Sequence, residues 1–248
     1  MNSPAIEVRG LTKRYGARAA VDGLSLTVED GELFALLGLN GAGKTTTIKM
    51  LCGLTEPTDG AALVYGQSVQ DGGAEERRMV NLSPQESAFA GKLTVRENLE
   101  LMARVYGADR AAARDLASDL MSRLSLTDRA GDQARKLSGG LQRRLSIAMA
   151  LITEPRLVFL DEPTLGLDIR ARRELWNTLR ELKGKMTIVL TTHYLEEAEA
   201  LADRIGIMHD GALTALGTAD ELKALSRTDN IEDAFLALTG ADEMEVER

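Results

Sequence analysis

Residues 38–45 read GLNGAGKT, which fits the phosphate-loop spacing G-x-x-x-x-G-K-[ST]. Glycines at this spacing let the backbone curl until successive N–H groups point into one concave nest for phosphate oxygens. Asn40, Gly41, Ala42, Gly43, Lys44, Thr45 and Thr46 supply those donors, and a helix starting at the end of the loop adds its positive dipole end. Lys44 is placed to reach the outer phosphates of a nucleotide, and the Thr45 hydroxyl to ligate Mg2+. A second run, LVFLDEP at 157–163, is an apolar stretch ending in two carboxylates. Neighbouring side chains on a strand point in different directions, so the two acids can hold different jobs. Asp161 is placed for the metal as the acidic partner of Thr45, and Glu162 to polarise an attacking water as general base. A plain glycine-rich turn, or a charged strand end capping the next helix, explains either run alone but not both together.

The elements that must hold these residues are legible in outline. Residues 6–9, 25–28 and 33–37 read as short strands separated by glycines. The last is nearly all apolar, as a strand covered on both faces of a parallel sheet would be. The phosphate loop follows it, then a helix beginning TTTIKMLCGL. Residues 65–69 and 79–82 also read as strands. From about residue 87 to 136 the pattern turns helical: Thr94 and Glu97 have the T-x-x-E spacing of a capping box, and 111–126 repeats leucines and methionine at three- and four-residue spacing. Residues 157–160 and 186–190 read as central strands. Residues 170–183 between them form an amphipathic helix with Leu175, Leu179 and Leu182 on one face and Trp176 beside it.

Bulk composition narrows the class. At 248 residues, 44% hydrophobic and 27% charged, the chain can bury a full globular core. Its net charge of −8 gives no electrostatic reason to expect nucleic-acid binding. Residues 228–248 hold seven acids and one base, which reads as a solvated acidic tail. Cys52 is the single cysteine, so no internal disulfide forms, and a small apolar packing role suits it better than a reactive thiol. His209 reads as a turn residue. No signal peptide is expected at the start, and no window is long and apolar enough to span a bilayer.

Between the two chemical runs lies LSGGL at 137–141. With it the chain resembles the ATP-binding subunits of ABC transporters over about residues 5–220. LSGGL is similar to the family signature, whose Ser138, Gly139 and Gly140 would meet a γ-phosphate. Gln85 in SPQE resembles the Q-loop glutamine, implying a place at the metal and the attacking water. Asp168 in GLD resembles the D-loop aspartate, His193 in LTTHYLEEAE the switch histidine, and Tyr15 in KRYG the aromatic that stacks on adenine. All come in the family's order. The resemblance implies an α/β fold: a P-loop NTPase core with a mainly parallel central sheet, an N-terminal antiparallel β subdomain and an inserted α-helical subdomain. It would occupy residues 1–220, with the helical subdomain at about 87–137, leaving 221–248 as a helical, acidic tail.

Some positions depart from the pattern. Leu39 stands where proline is usual, Leu141 takes the glutamine position of the signature, and Ile169 follows the D-loop where many relatives have proline. None removes a reacting group. PTLGLD, THYLEEAEALADRIGIM and IEDAFLALTG are similar to the ATPases of type-two exporters. That resemblance implies ATP and Mg2+ as ligands and head-to-tail pairing as a homodimer or with a related ATPase subunit. It also implies a separate integral membrane permease, served from the cytoplasmic face of the cell membrane, that exports drugs, antibiotics, lipids or polysaccharides. The competing expectation, a soluble ABC-type ATPase acting on DNA or ribosomes, is disfavoured because residues 45–137 leave no room for a long coiled coil and each motif occurs once.

Overall fold

The computed structural model describes residues 4–70, 79–86 and 88–240. Residue 87, where the helical insert was expected to start, and residues 241–248 of the acidic tail lie outside the described residues. In chain order the described elements are β1 (Ile6–Tyr15), β2 (Arg18–Val28), β3 (Leu33–Leu37), α1 (Lys44–Leu51), β4 (Asp59–Val64), β5 (Gln67–Ser68), β6 (Val80–Ser83), α2 (Val95–Val105), α3 (Arg110–Arg123), α4 (Gly139–Leu151), β7 (Leu157–Asp161), α5 (Ile169–Leu182), β8 (Thr187–Thr192), α6 (Leu195–Leu201), β9 (Arg204–His209), β10 (Ala212–Gly217), α7 (Ala219–Ser226) and α8 (Ile231–Thr239). They fall into two compact units, Met1–Gly73 with Thr187–Arg248, and Ala74–Met186.

In the first unit β2, β1, β4 and β5 form an antiparallel sheet in that spatial order. β1 and β2 run well beyond the short segments legible in the sequence, because a bulged register at Val8/Leu11 and Leu11/Lys13 breaks the regular alternation. Residues 65–69, read as one strand, hold the two-residue β5 at Gln67–Ser68, and the range opens on a turn in which Tyr65 and Gly66 both have positive φ, 49° and 79°. Two left-handed residues in a row join a tight antiparallel hairpin, so the aromatic residue marks the turn and not the strand.

β3 lies parallel to both β8 and β9, and β9 turns back into the antiparallel β10. All five residues of β3 and all six of β8 are buried, as strands covered on both faces must be. Helix α6 packs on β3, α8 on β9 and α7 on β10. Cys52 is the C-cap of α1 and half-buried, less enclosed than its apolar surroundings suggested.

In the second unit β6 and β7 pair in parallel, with α4 packed against both and α2 and α3 packed against α4. The capping box is formed as read: the Thr94 side chain accepts from the Glu97 N–H and the Glu97 carboxylate accepts from the Thr94 N–H. Helix α3 starts behind Asp109, whose carboxylate accepts from the N–H groups of Ala111 and Ala112 at 2.8 and 2.9 Å. Helix α5 buries Leu175, Leu179 and Leu182 on one face, and Trp176 is packed with them. The architecture is α/β, with mainly parallel central strands, an N-terminal antiparallel sheet and a helical part.

Candidate functional site

In the first unit the phosphate loop leaves the buried end of β3. The Gly38 N–H donates to the Thr192 carbonyl at 3.2 Å, tying the start of the loop to the end of β8. Two of its glycines are sterically required. A Cβ on Gly38 would lie 2.4 Å from the Met208 carbonyl oxygen, and one on Gly43 2.4 Å from the Ala20 carbonyl oxygen, with φ 103° at Gly43. The loop is therefore clamped between β2 and the β9–β10 turn, whose Gly211 N–H donates to the Ala42 carbonyl at 3.1 Å.

Gly43 is the N-cap of α1 and offers no side-chain cap, and no acid sits in the first turn. The positive end of the helix is left to whatever anion the loop receives. Lys44 is buried, and its ammonium donates to the carbonyls of Gly38 at 2.7 Å and Leu39 at 3.2 Å. Folded back over the loop, it holds a positive charge beside the nest. Thr45 and Thr46 are half-buried, and Asn40 and Gly41 are exposed at the tip.

Tyr15 closes β1 and is 54% exposed. The Lys13 ammonium sits 5.2 Å from its ring centroid, a cation–π distance, and is fixed by donating to the Glu56 carbonyl at 2.6 Å. Across the hairpin Tyr15 pairs with Arg18. The Arg18 guanidinium comes within 3.7 Å of where a Cβ on Gly41 would be. Arg18 is thus a cation at the phosphate loop that sequence reasoning missed; the only signal was the basic run KRYGAR. His193 follows β8 and is half-buried, its ring centroid 4.1 Å from that of Tyr194. Because Thr192 pairs with Leu37, His193 leaves the sheet at the same end as the loop. His209 ends β9, its Nε2 3.6 Å from the Asp210 carboxylate.

In the second unit Ser83 is in register with Leu160, so the chains running to Gln85 and to Asp161–Glu162 emerge from the same ends of adjacent parallel strands. Strand carboxyl ends are where α/β sheets bind ligands. Asp161 and Glu162 are 3% and 4% exposed. Glu162 adopts φ 51°, left-handed backbone for a buried, non-glycine residue. Such strain persists where surrounding structure enforces it, and it clusters at functional sites. Gln85 is exposed.

Ser138 is the N-cap of α4, its hydroxyl accepting from the Leu141 N–H at 3.4 Å, and Ser138 and Gly139 are exposed. A Cβ on Gly140 would lie 3.2 Å from a Leu167 methyl, so the signature glycine abuts the turn before Asp168. Asp168 itself caps α5, accepting from the Ala171 N–H at 2.8 Å. Lys44, Thr45, Tyr15 and His193 therefore belong to the first unit, and Gln85, Asp161, Glu162, Ser138, Gly140 and Asp168 to the second.

The donor chemistry fits Mg2+. Taken singly, Thr45 of the first unit and Gln85 and Asp161 of the second each carry a hard side-chain oxygen, the donor type this ion takes while keeping waters and substrate phosphates for its other positions. Among the described residues no three His, Cys, Asp or Glu side chains gather into a dedicated metal cage, and none is needed where phosphates complete the shell. Among the described residues, too, no helix is long and apolar enough to cross a membrane.

Comparison with known proteins agrees with this geometry. The family model described as "ABC transporter" matches residues 21–165. The chain is 46% identical over 235 residues to the daunorubicin resistance ATP-binding protein DrrA3 of Streptomyces coeruleorubidus, covering 94% of this chain and 74% of that one. It is 43% identical to the Nod factor export ATP-binding protein I of Burkholderia orbicola (strain AU 1054), covering 90% and 73%. Its fold superposes with a TM-score of 0.79 at 25% identity on the ATP-binding cassette MJ0796, solved as a dimer in a post-hydrolysis state with ADP and Pi, covering 86% and 98%. The chain belongs to the ABC transporter family, as an ATP-binding ATPase subunit.

Proposed function

We propose that this chain hydrolyses ATP through two sets of residues, phosphate binding from the first unit and hydrolytic groups from the second. The N–H groups of Asn40, Gly41, Ala42, Gly43, Lys44, Thr45 and Thr46 cradle the phosphates, Lys44 neutralises the outer ones, and Tyr15 stacks on adenine. Thr45, Asp161 and Gln85 hold Mg2+, which when bound neutralises charge on the phosphate oxygens. Glu162 accepts a proton from the water that attacks the γ-phosphorus. The bond from that phosphorus to the bridging oxygen breaks, giving ADP and inorganic phosphate. Gln85 and His193 orient the water and the γ-phosphate. Residues 1–220 act as the nucleotide-binding domain, with about 87–137 as its helical subdomain and 221–248 as a tail.

The chain powers export, a reading supported by its likeness to a Nod factor export ATP-binding protein and a daunorubicin resistance ATP-binding protein. We read it as serving a separate integral membrane permease from the cytoplasmic face of the cell membrane. Two copies, or one copy and a related ATPase subunit, pair head to tail, Ser138, Gly139 and Gly140 completing the neighbour's site with Asp168 beside them. The solved dimer of a similar cassette supports the formation of a dimer.

The observation that carries the chemistry is Glu162: buried, held at positive φ and directly following Asp161 at a strand end. Replacing it by glutamine, which keeps the shape and removes the base, is expected to lower kcat about 100-fold or more while ATP affinity stays within a few-fold. Steady-state turnover and an ATP-binding titration check this. Wild-type turnover in Glu162→Gln would remove Glu162 from the mechanism.

A further inference from the structure

Helix α4 carries more than the signature at its N-terminus. Arg143, Ser146 and Ala150 share one face of it, spaced three and four residues apart. Each is bonded to the stretch that leads to Gln85. The Ala150 carbonyl accepts from the Asn81 amide at 2.8 Å, the Ser146 and Ser83 hydroxyls lie 3.1 Å apart, and the Arg143 guanidinium donates to the Pro84 carbonyl. Arg143 reaches further, donating through Nε to the Pro163 carbonyl at 3.2 Å and through a terminal nitrogen to the Asp161 carbonyl. It is only 4% exposed.

One side chain thus grips the backbone immediately before Gln85 and the backbone on both sides of Glu162. A guanidinium suits this task because it is planar, always charged and presents its N–H groups as a fixed fork. Three carbonyls bonded to different nitrogens of that fork are set relative to one another, whereas an ammonium imposes no such plane. Buried as it is, the charge penalises any movement that unmakes these bonds.

We propose that Arg143 is a positioning residue for hydrolysis, holding the Gln85 and Glu162 segments in fixed register and joining them to the signature helix. The inference rests on the roles given above to Gln85, Glu162 and LSGG. It has a consequence for a paired ATPase: the helix that engages the neighbour's nucleotide is bolted to its own subunit's water-activating residues.

The test uses the full-length chain with Arg143→Gln, Arg143→Lys, Glu162→Gln and the double variant Arg143→Gln/Glu162→Gln. Thermal melting, ATP titration and single-turnover hydrolysis are measured for each. Arg143→Gln is expected to lower the hydrolysis rate about ten-fold or more, since a misplacement near 1 Å can cost about 100-fold, with ATP affinity within about three-fold. Arg143→Lys should recover only part of the rate. In the Glu162→Gln background the arginine substitution should add less than about two-fold, because residues acting as a unit are non-additive. Wild-type hydrolysis in Arg143→Gln, or effects that multiply fully in the double variant, would overturn the proposal. If Arg143→Gln melts below the assay temperature, Arg143→Lys decides alone: a slowed rate at unchanged affinity supports it and an unchanged rate refutes it. Failure of the underlying reading looks different, as wild-type turnover in Glu162→Gln whatever Arg143 does.

Discussion

Tyr15 ends its strand more than half exposed, with the Lys13 ammonium held near its ring. A cation beside the ring fixes its orientation and leaves area for a base to stack. Stacking of a base on an aromatic is worth about 1–3 kcal/mol, so Tyr15→Ala is expected to weaken ATP binding between about five- and 150-fold with kcat at saturation unchanged. Tyr15→Trp should bind at least as well as wild type. An ATP titration beside saturated turnover separates these outcomes, and a fall in kcat with intact affinity would contradict the stacking role. Tyr15 entered only through the family resemblance, whereas the phosphate loop was legible because phosphate chemistry demands particular residue types at particular spacings. Arg18 was not, since it reaches Gly41 only through the cross-strand register of β1 and β2, which no local pattern encodes. Nor was the positive φ of Glu162; a buried glutamate gives no backbone signature in the sequence.

At the scale of elements, the stretch after Gln85 is laced to the stretch before LSGG. The N–H groups of Val95 and Arg96 donate to the Asp132 and Ala130 carbonyls, and those of Ala134 and Arg135 to the Leu93 and Gly91 carbonyls. The buried Asn98 side chain fixes the same turn, donating to the Ala90, Leu93 and Thr94 carbonyls and accepting from the Ala90 N–H. The capping box at Thr94 sits inside this lacing. Bonds from the Thr94 N–H, and then from its hydroxyl, hold the Glu97 carboxyl below the usual glutamate range. A lowered folded pKa means stability fully present above the unfolded value, about 4.3, and lost as the pH falls through the lower folded value. Glu97→Gln can still accept the N-cap N–H but cannot titrate. Its melting temperature should therefore fall less steeply with acid below about pH 4.3 than that of wild type. Parallel acid curves for the two proteins would refute the assignment. The T-x-x-E spacing made this cap legible, whereas residues 65–69 misled because a tyrosine, common in strands, here takes a left-handed turn conformation.

At the scale of the whole molecule stands the proposed head-to-tail pairing, which no local pattern of one sequence encodes because it joins residues of two chains. Head-to-tail pairing makes an arithmetic prediction. Combine a Lys44→Ala chain with a Ser138→Arg chain, each inactive as a homodimer. If a site joins one chain's Lys44 to the other's Ser138, a mixed dimer holds one doubly broken site and one intact site. Random pairing of equal amounts makes about half of the dimers mixed, so about a quarter of all sites become competent again. If each chain instead completes its own site, every site in the mixture carries one defect and turnover stays at the level of the separate variants. ATP hydrolysis measured across a titration of one variant into the other distinguishes the two outcomes: a bell-shaped recovery peaking near equal amounts supports the shared site, and a flat line excludes it. The same mixture with Arg143→Gln added to the Lys44→Ala chain extends the argument. The intact site draws its Lys44, Gln85 and Glu162 from the Ser138→Arg chain and only its signature from the other. Recovery should then survive Arg143→Gln on the Lys44→Ala chain and be lost when that substitution is moved to the Ser138→Arg chain, because Arg143 grips the Gln85 and Glu162 segments of its own chain.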